Sequence, residues 1–261
     1  MPITSNPLPS QQALRLLALD TSTEQLSIAI GLWPANSTTS APMQLWQHTG
    51  VGAAQSSSTL IPAIQDLLRQ ADMTLNQLDA IVFGNGPGSF TGLRTACAVA
   101  QGLALGSNLP VLPINTLQTV AEDWRSRHAP AQASGNVWAL LDARMDEIYA
   151  AHWQWHTSSN GATACIQWQS MGDACLVKPE HLAQLPGFTA DAICAGNVQT
   201  TYADRLPVCV HAAMPAAQAM LQLAPHLLSQ GAACDPALAL PRYIRDKVAQ
   251  TTAERALKQT Q

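Results

Sequence analysis

Residues 79–106 read DAIVFGNGPGSFTGLRTACAVAQGLALG, and the order of pieces in that stretch decides the fold. Its first five residues are mostly apolar and stop at a glycine, the pattern of a short buried strand. Gly84, Gly86, Pro87 and Gly88 then make a loop in which glycine supplies either positive φ or room for a second backbone. Ser89 opens a long helix, residues 89–106, rich in alanine and glycine. Strand, glycine loop and helix are the layout of an anion-binding turn, because the free N–H groups of a helix start attract negative charge. No lysine stands in the loop, and Arg94, one turn into the helix, is the nearest cation. Two readings stay open: a phosphate site, and a tight turn packed against a neighbour.

The rest of the chain bounds the choice. With 261 residues, 47% hydrophobic and 11% charged, it is a folded chain of one large domain or two lobes. Its 13 basic and 17 acidic residues give −4, so no global basic field draws nucleic acid. Six scattered cysteines without a CxxC pair read as reduced and buried, not as a disulfide frame or zinc site. No leader-like segment and no apolar run of spanning length is visible, and a soluble cytoplasmic protein is expected.

Working outward, residues 14–19 form a strand ending at Asp20, Thr21–Glu24 is a polar turn, and 25–32 alternates as a returning strand. A third strand follows at 43–48. Leu60, Ile61, Ile64, Leu67 and Leu68 recur at helical spacing over 56–70. After the opening stretch come a strand at 109–112 and a helix at 116–127 capped by Asn115 or Thr116. The order β-β-β-α-β-α-β-α defines a ribonuclease-H-like lobe. Residues 129–136 read as a linker. A shortened version of the same theme follows: strands at 137–141 and 147–155 around a polar turn, a turn at 158–161, strands near 166–169, 192–195 and 208–211, and a helix at 216–229. The expectation is an α/β chain of the actin-like ATPase class with two lobes, the second reduced. Its expected parts are a disordered extension (1–12), a first lobe (13–128), a second lobe (129–240) and a tail (241–261).

Several groups carry chemistry or its imitation. Asp20, Thr21 and Ser22 either face nucleotide phosphates, with Asp20 holding magnesium through water, or cap a hairpin as an Asx turn. The helix at 89–106 is apolar on more than one face. Phe90, Leu93, Cys97, Ala100 and Ala104 mark one face, and Ala96, Val99 and Leu103 another. It is therefore either buried all round or meets a second protein. His152 and His156 lie on a strand, where residues four apart are about 13 Å apart and share no ion. Asp142, Asp146 and Glu147 with Arg144 form either an acidic metal or acid–base cluster or a solvated hairpin tip. A nuclease would need carboxylates beside Asp20, and Asp79 stands at the wrong end of its strand. The basic strip 241–248 either touches phosphates or is a tail packed by Tyr243 and Ile244.

Read together, LALDTSTE (17–24), LNQLDAI (75–81), GNGPGSFTGLR (84–94), AQGLA (100–104) and LDARMDEIY (141–149) resemble the TsaB (YeaZ) family, strongly over about residues 14–150. That resemblance implies an actin-like fold without catalytic or metal residues. It implies a subunit that binds its paralogue TsaD, and with it TsaE, for N6-threonylcarbamoylation of the adenosine beside the tRNA anticodon. The helices at 56–70 and 89–106 would meet TsaD, placing Leu60, Ile64, Leu67, Phe90, Leu93, Arg94, Cys97, Ala100, Gln101 and Ala104 at the interface. Gly84, Gly86, Pro87 and Gly88 become a structural loop, and Asp20, Thr21 and Ser22 a vestigial cofactor turn. No cofactor is expected to bind tightly, and nucleotide only at a site shared with the partner. Contact with tRNA is indirect, and the chain alone forms a homodimer. Rival readings are an active ATPase using Asp20 for metal, and the metallopeptidase implied by the family's older glycoprotease label.

Overall fold

The computed structural model describes residues 13–245 apart from 36, 38–40, 53–55 and 161–162, so the extension expected at 1–12 and the tail beyond 245 lie outside the described residues. The first half runs β1 (Leu14–Asp20), β2 (Gln25–Trp33), β3 (Gln44–Val51), α1 (Ser56–Gln70), β4 (Ala80–Gly86), α2 (Phe90–Ser107), β5 (Val111–Asn115) and α3 (Thr116–His128). The second runs β6 (Ser134–Arg144), β7 (Glu147–Asn160), β8 (Thr163–Ser170), β9 (Cys175–Val177), β10 (Cys194–Gly196), α4 (Gln199–Tyr202), β11 (Val210–Ala212) and α5 (Ala217–Ser229).

The first sheet has the order β3-β2-β1-β4-β5, with β1–β2 and β2–β3 antiparallel and β1–β4 and β4–β5 parallel. The second sheet repeats it strand for strand as β8-β7-β6-β10-β11, with β9 added beside β7. The positions of α1 and α2 are reduced there to a 3₁₀ turn at Pro179–Gln184 and the four-residue α4.

Each central strand is apolar on both faces because both are covered. Leu17, Leu19, Ile28 and Phe83 meet Leu60, Ile64 and Leu67 of α1 and Ala96, Cys97, Ala100 and Ala104 of α2. Leu16, Ala18 and Val82, on the opposite face, meet Met220, Leu221 and Ala224 of α5. Helix α3 lies beside α5 and turns Leu117, Val120 and Trp124 to Val137, Ala139 and Trp155 of the second sheet. Beyond that sheet, Trp138, Leu140 and Ile148 are covered by Leu182, Val198 and Tyr202. The layers are therefore α1/α2, sheet, α3/α5, sheet, irregular cover.

Four sequence expectations change. Residues 134–136 are strand, because Ser134, Gly135 and Asn136 pair with His156, Trp155 and Gln154, and the Trp155 indole occupies the space a Gly135 side chain would need. Pairing also overrides the polar turn expected at 158–161, since Ser158 pairs with Cys165 and β7 continues to Asn160. Strand β4 runs on to Gly86, through the first half of the glycine loop. Finally, α5 seats on the first sheet and residues 234–242 return to it: Val111 and Cys234 exchange backbone hydrogen bonds, and the Arg242 N–H donates to the Asn85 carbonyl at 2.6 Å.

One buried charge pair joins the middle layer to the second sheet. Arg125 donates from Nε and Nη2 to both oxygens of Glu122 at 2.7 Å, and Trp168 Nε1 donates to Glu122 Oε2 at 3.0 Å. Removing one partner strands a buried guanidinium and an indole N–H. Glu122→Ala should therefore cost about 3–5 kcal/mol in urea unfolding, and Glu122→Leu with Arg125→Met should recover most of it. A loss below about 1 kcal/mol for the single variant would show that the pair does not hold these layers together.

Candidate functional site

Both glycine-loop ends and the first hairpin turn meet at the carboxyl ends of β1 and β4, where ligands bind in open α/β sheets. The contact is close. Thr21 Oγ1 donates to the Gly92 carbonyl at 2.6 Å, and the Ser89 N–H donates to the Ser22 carbonyl at 2.7 Å. A Cβ on Gly92 would stand 1.8 Å from the Thr21 oxygen, and one on Gly84 equally close to Asp20 Oδ2. These glycines make room for the hairpin. Gly86 has φ +119°, Pro87 and Gly88 line the adjoining cleft, and Ser89 caps α2 by accepting from the Gly92 N–H.

Asp20, Thr21 and Ser22 are all buried in this contact. Asp20 Oδ1 accepts from the Ser22 N–H at 2.8 Å and from Ser22 Oγ at 2.6 Å, while Oδ2 is buried with no hydrogen-bond partner among the described residues. Burial pushes its pKa up to about 7 against the lowering effect of Ser22. Without a cation beside it, a carboxyl buried this way holds its proton well above the ordinary carboxylate range.

Between the lobes lies a cavity of about 240 Å³, floored by Ser22, Thr23 and Gly88 and walled by the β6–β7 hairpin. The β1–β2 turn reaches across it: Glu24 lies 3.9 Å from Arg144 of the β6–β7 hairpin and accepts at 3.4 Å from Nδ2 of Asn197, which follows β10. The acidic residues of that hairpin do not converge. Asp142 accepts from Tyr202 Oη at 2.8 Å and pairs with Arg144, Asp146 pairs with Arg205, and Glu147 with Arg245. Among the described residues no three His, Cys, Asp or Glu are grouped to hold a metal ion. His152 stacks on Trp138, and His156 bonds Gln167 at 2.9 Å. Asp79 accepts from the Arg15 N–H at the far end of β4.

The residues assigned to a partner surface are placed differently from that expectation. Leu60, Ile64, Leu67, Leu93, Cys97, Ala100 and Ala104 are buried in this chain's own core, because their helix faces turn to the first sheet. Gln101 Nε2 is taken by the carbonyls of Pro236 and Ala239, and Arg94 by Phe90 and Tyr243. The excess apolar surface of α2 is absorbed partly by the returning segment at 234–239, which covers Cys97 and Gln101. The outer face of the helix pair is polar along most of α1, and among its exposed residues Ile61, Ala98, Gly102 and Leu105 are small or aliphatic, which the burial pattern alone reveals.

Two duplicated ribonuclease-H-like sheets with α3 and α5 between them make this an actin-like ATPase fold, here with its phosphate-facing turns packed on each other. Comparison with known proteins gives the family. The chain is 32% identical to the "tRNA threonylcarbamoyladenosine biosynthesis protein TsaB" of Escherichia coli over 90% of its own length and 96% of the relative's. For the Haemophilus influenzae protein of the same name the figures are 34%, 91% and 96%. Two Pseudomonas aeruginosa structures, one described as YeaZ and one as similar to the peptidase YEAZ, superpose with TM-scores of 0.70 and 0.72. Each is 32% identical; they cover 88% and 89% of this chain, which spans 99% and 100% of theirs. The family model "TsaD: tRNA N6-adenosine threonylcarbamoyltransferase" matches residues 50–253. The chain belongs to the TsaB family, within the wider group that the TsaD model describes.

The buried carboxyl sets a pH signature. The folded Asp20 keeps its proton to about pH 7 while an ordinary one loses it near 3.8, so the folded state binds more protons between those values and stability falls as pH rises through them. Asp20→Asn should therefore gain a few kcal/mol over the parent at pH 8 and lose that advantage near pH 4 in urea titrations. An advantage that grows towards low pH would contradict the assignment.

Proposed function

We propose that this chain is a non-catalytic subunit of the machinery that forms N6-threonylcarbamoyladenosine in tRNA, and that it binds TsaD through the outer face of α1 and α2. The observation that carries the first half is the hairpin–glycine loop contact. It fills the ground where an ATPase of this fold would keep metal and phosphate, and it turns Asp20 inward. The names of the TsaB relatives support the pathway, and the TsaD family match supports a paralogue as partner.

The second half rests on the exposed strip. Ile61 is 44% and Leu105 60% exposed, and a Cβ on Gly102 would meet nothing within 4 Å. Small residues let a second helix pair approach closely, so a four-helix contact forms without rearranging the core beneath. A stable complex of this kind buries about 800 Å² on each partner. TsaE then docks on the heterodimer, and in the absence of TsaD the same strip pairs two copies of this chain.

Ala98→Arg and Gly102→Arg point into solvent in a single copy of the chain. At concentrations where the parent is monomeric they should leave its thermal midpoint within about 2 °C of the parent, and they should lower copurification with TsaD at least about tenfold. Leu93→Ala is the opposite control: it removes a buried side chain and should destabilise the chain by about 2–5 kcal/mol. Retention of TsaD by both arginine variants would move the interface elsewhere.

A further inference from the structure

We propose that the mouth of the interlobe cleft is a docking platform for a single-stranded segment of RNA. Its core is a stack of three side chains, two from one turn of α2 and one from the returning C-terminal segment. The Arg94 guanidinium lies 3.7 Å from the centre of the Phe90 ring, Phe90 and Tyr243 have centroids 4.9 Å apart, and Arg94 Nε donates to Tyr243 Oη at 3.1 Å. Phe90 and Tyr243 remain 38% and 40% exposed. The stack is held at both ends, by α2 on one side and by the backbone bond from Arg242 to Asn85 on the other. Flat, pre-positioned π surface of this kind takes an unstacked nucleobase, and every base has a π face to offer.

Charge is arranged to match. Arg94, Arg144, Arg242 and Arg245, four of the chain's 13 basic residues, stand around this one cleft although the chain carries a net −4. Arg144 and Arg245 are paired with carboxylates, whereas among the described residues neither Arg94 nor Arg242 forms an ion pair. Two uncompensated guanidiniums beside an aromatic pair suit a phosphodiester strand, since the planar fork binds phosphate oxygens bidentately. An acidic peptide would satisfy the charges but leave the rings without a planar partner. The adjoining cavity of about 240 Å³ admits one splayed base and excludes a duplex, so the strand is single. The choice of RNA over other nucleic acid rests on the tRNA-pathway reading above; the platform does not.

Fluorescence anisotropy of the full chain, without TsaD, tests it with three labelled probes: an RNA stem-loop, the blunt duplex of the same stem, and a glutamate-rich peptide. Assaying the chain alone separates failure of the platform from failure of the TsaD interface. The stem-loop should bind at least about tenfold more tightly than the duplex, through stacked loop bases. Arg94→Gln with Arg242→Gln should flatten the dependence of log affinity on log salt by about 1.4, two single-strand phosphate contacts. Tyr243→Ala should weaken the stem-loop at least about fivefold with the salt slope kept. Equal binding of stem-loop and duplex by the parent chain, binding of the peptide alone, or an unchanged salt slope in the folded double variant would overturn the proposal.

Discussion

Thr21 and Gly92 exchange the contact on which the rest of the first lobe depends. The hydroxyl of one reaches the carbonyl of the other at 2.6 Å, and no side chain on residue 92 would fit between them. From that fixed point follow the burial of Asp20, the entry angle of α2 and the seating of its inner face on the sheet. Of the glycines that suggest a phosphate loop, Gly84, Gly88 and Gly92 make room for Asp20, Ser22 and Thr21, and Gly86 also adopts a φ of +119°. An anion-binding layout has become a structural clamp without changing its sequence pattern, because glycine serves both purposes.

The second constraint is the return of the chain after α5. Residues 234–245 pair with β5, cover Cys97 and Gln101 on α2, bond Asn85 and finally engage Glu147 on the second lobe. The lobes are thereby tied across the cleft by one strap as well as by Glu24 with Asn197 and Arg144. The two sheets share one strand order. With only short helical turns on the outer side of the second, α1 and α2 are the one long helix pair on an outer face among the described residues.

Much of this was legible in the sequence. The helix at Ser56–Gln70 begins and ends where its apolar spacing says, and the strand order of the first sheet follows from two hairpin-linked returns and two helical crossovers. Composition misled where long-range pairing decides: Ser134 to Asn136 and Ser158 to Asn160 look like loop and are strand because β7 pairs on both sides. The site was half legible. The motif at Gly84–Gly88 marked the right place, but periodicity cannot say which apolar face of a helix its own sheet will take, so Leu93, Cys97 and Ala100 pointed to a partner and belong to the core. Tyr243 and Arg242 stood out only as a basic strip, since nothing local places them against Phe90 and Asn85, some 150 residues earlier.

The proposal that this chain is non-catalytic rests on the closed hairpin–loop contact. Isothermal titration of the isolated protein with Mg·ATP tests it directly. The account predicts no saturable heat up to about millimolar nucleotide. A stoichiometric site of micromolar affinity, abolished by Asp20→Asn, would contradict it.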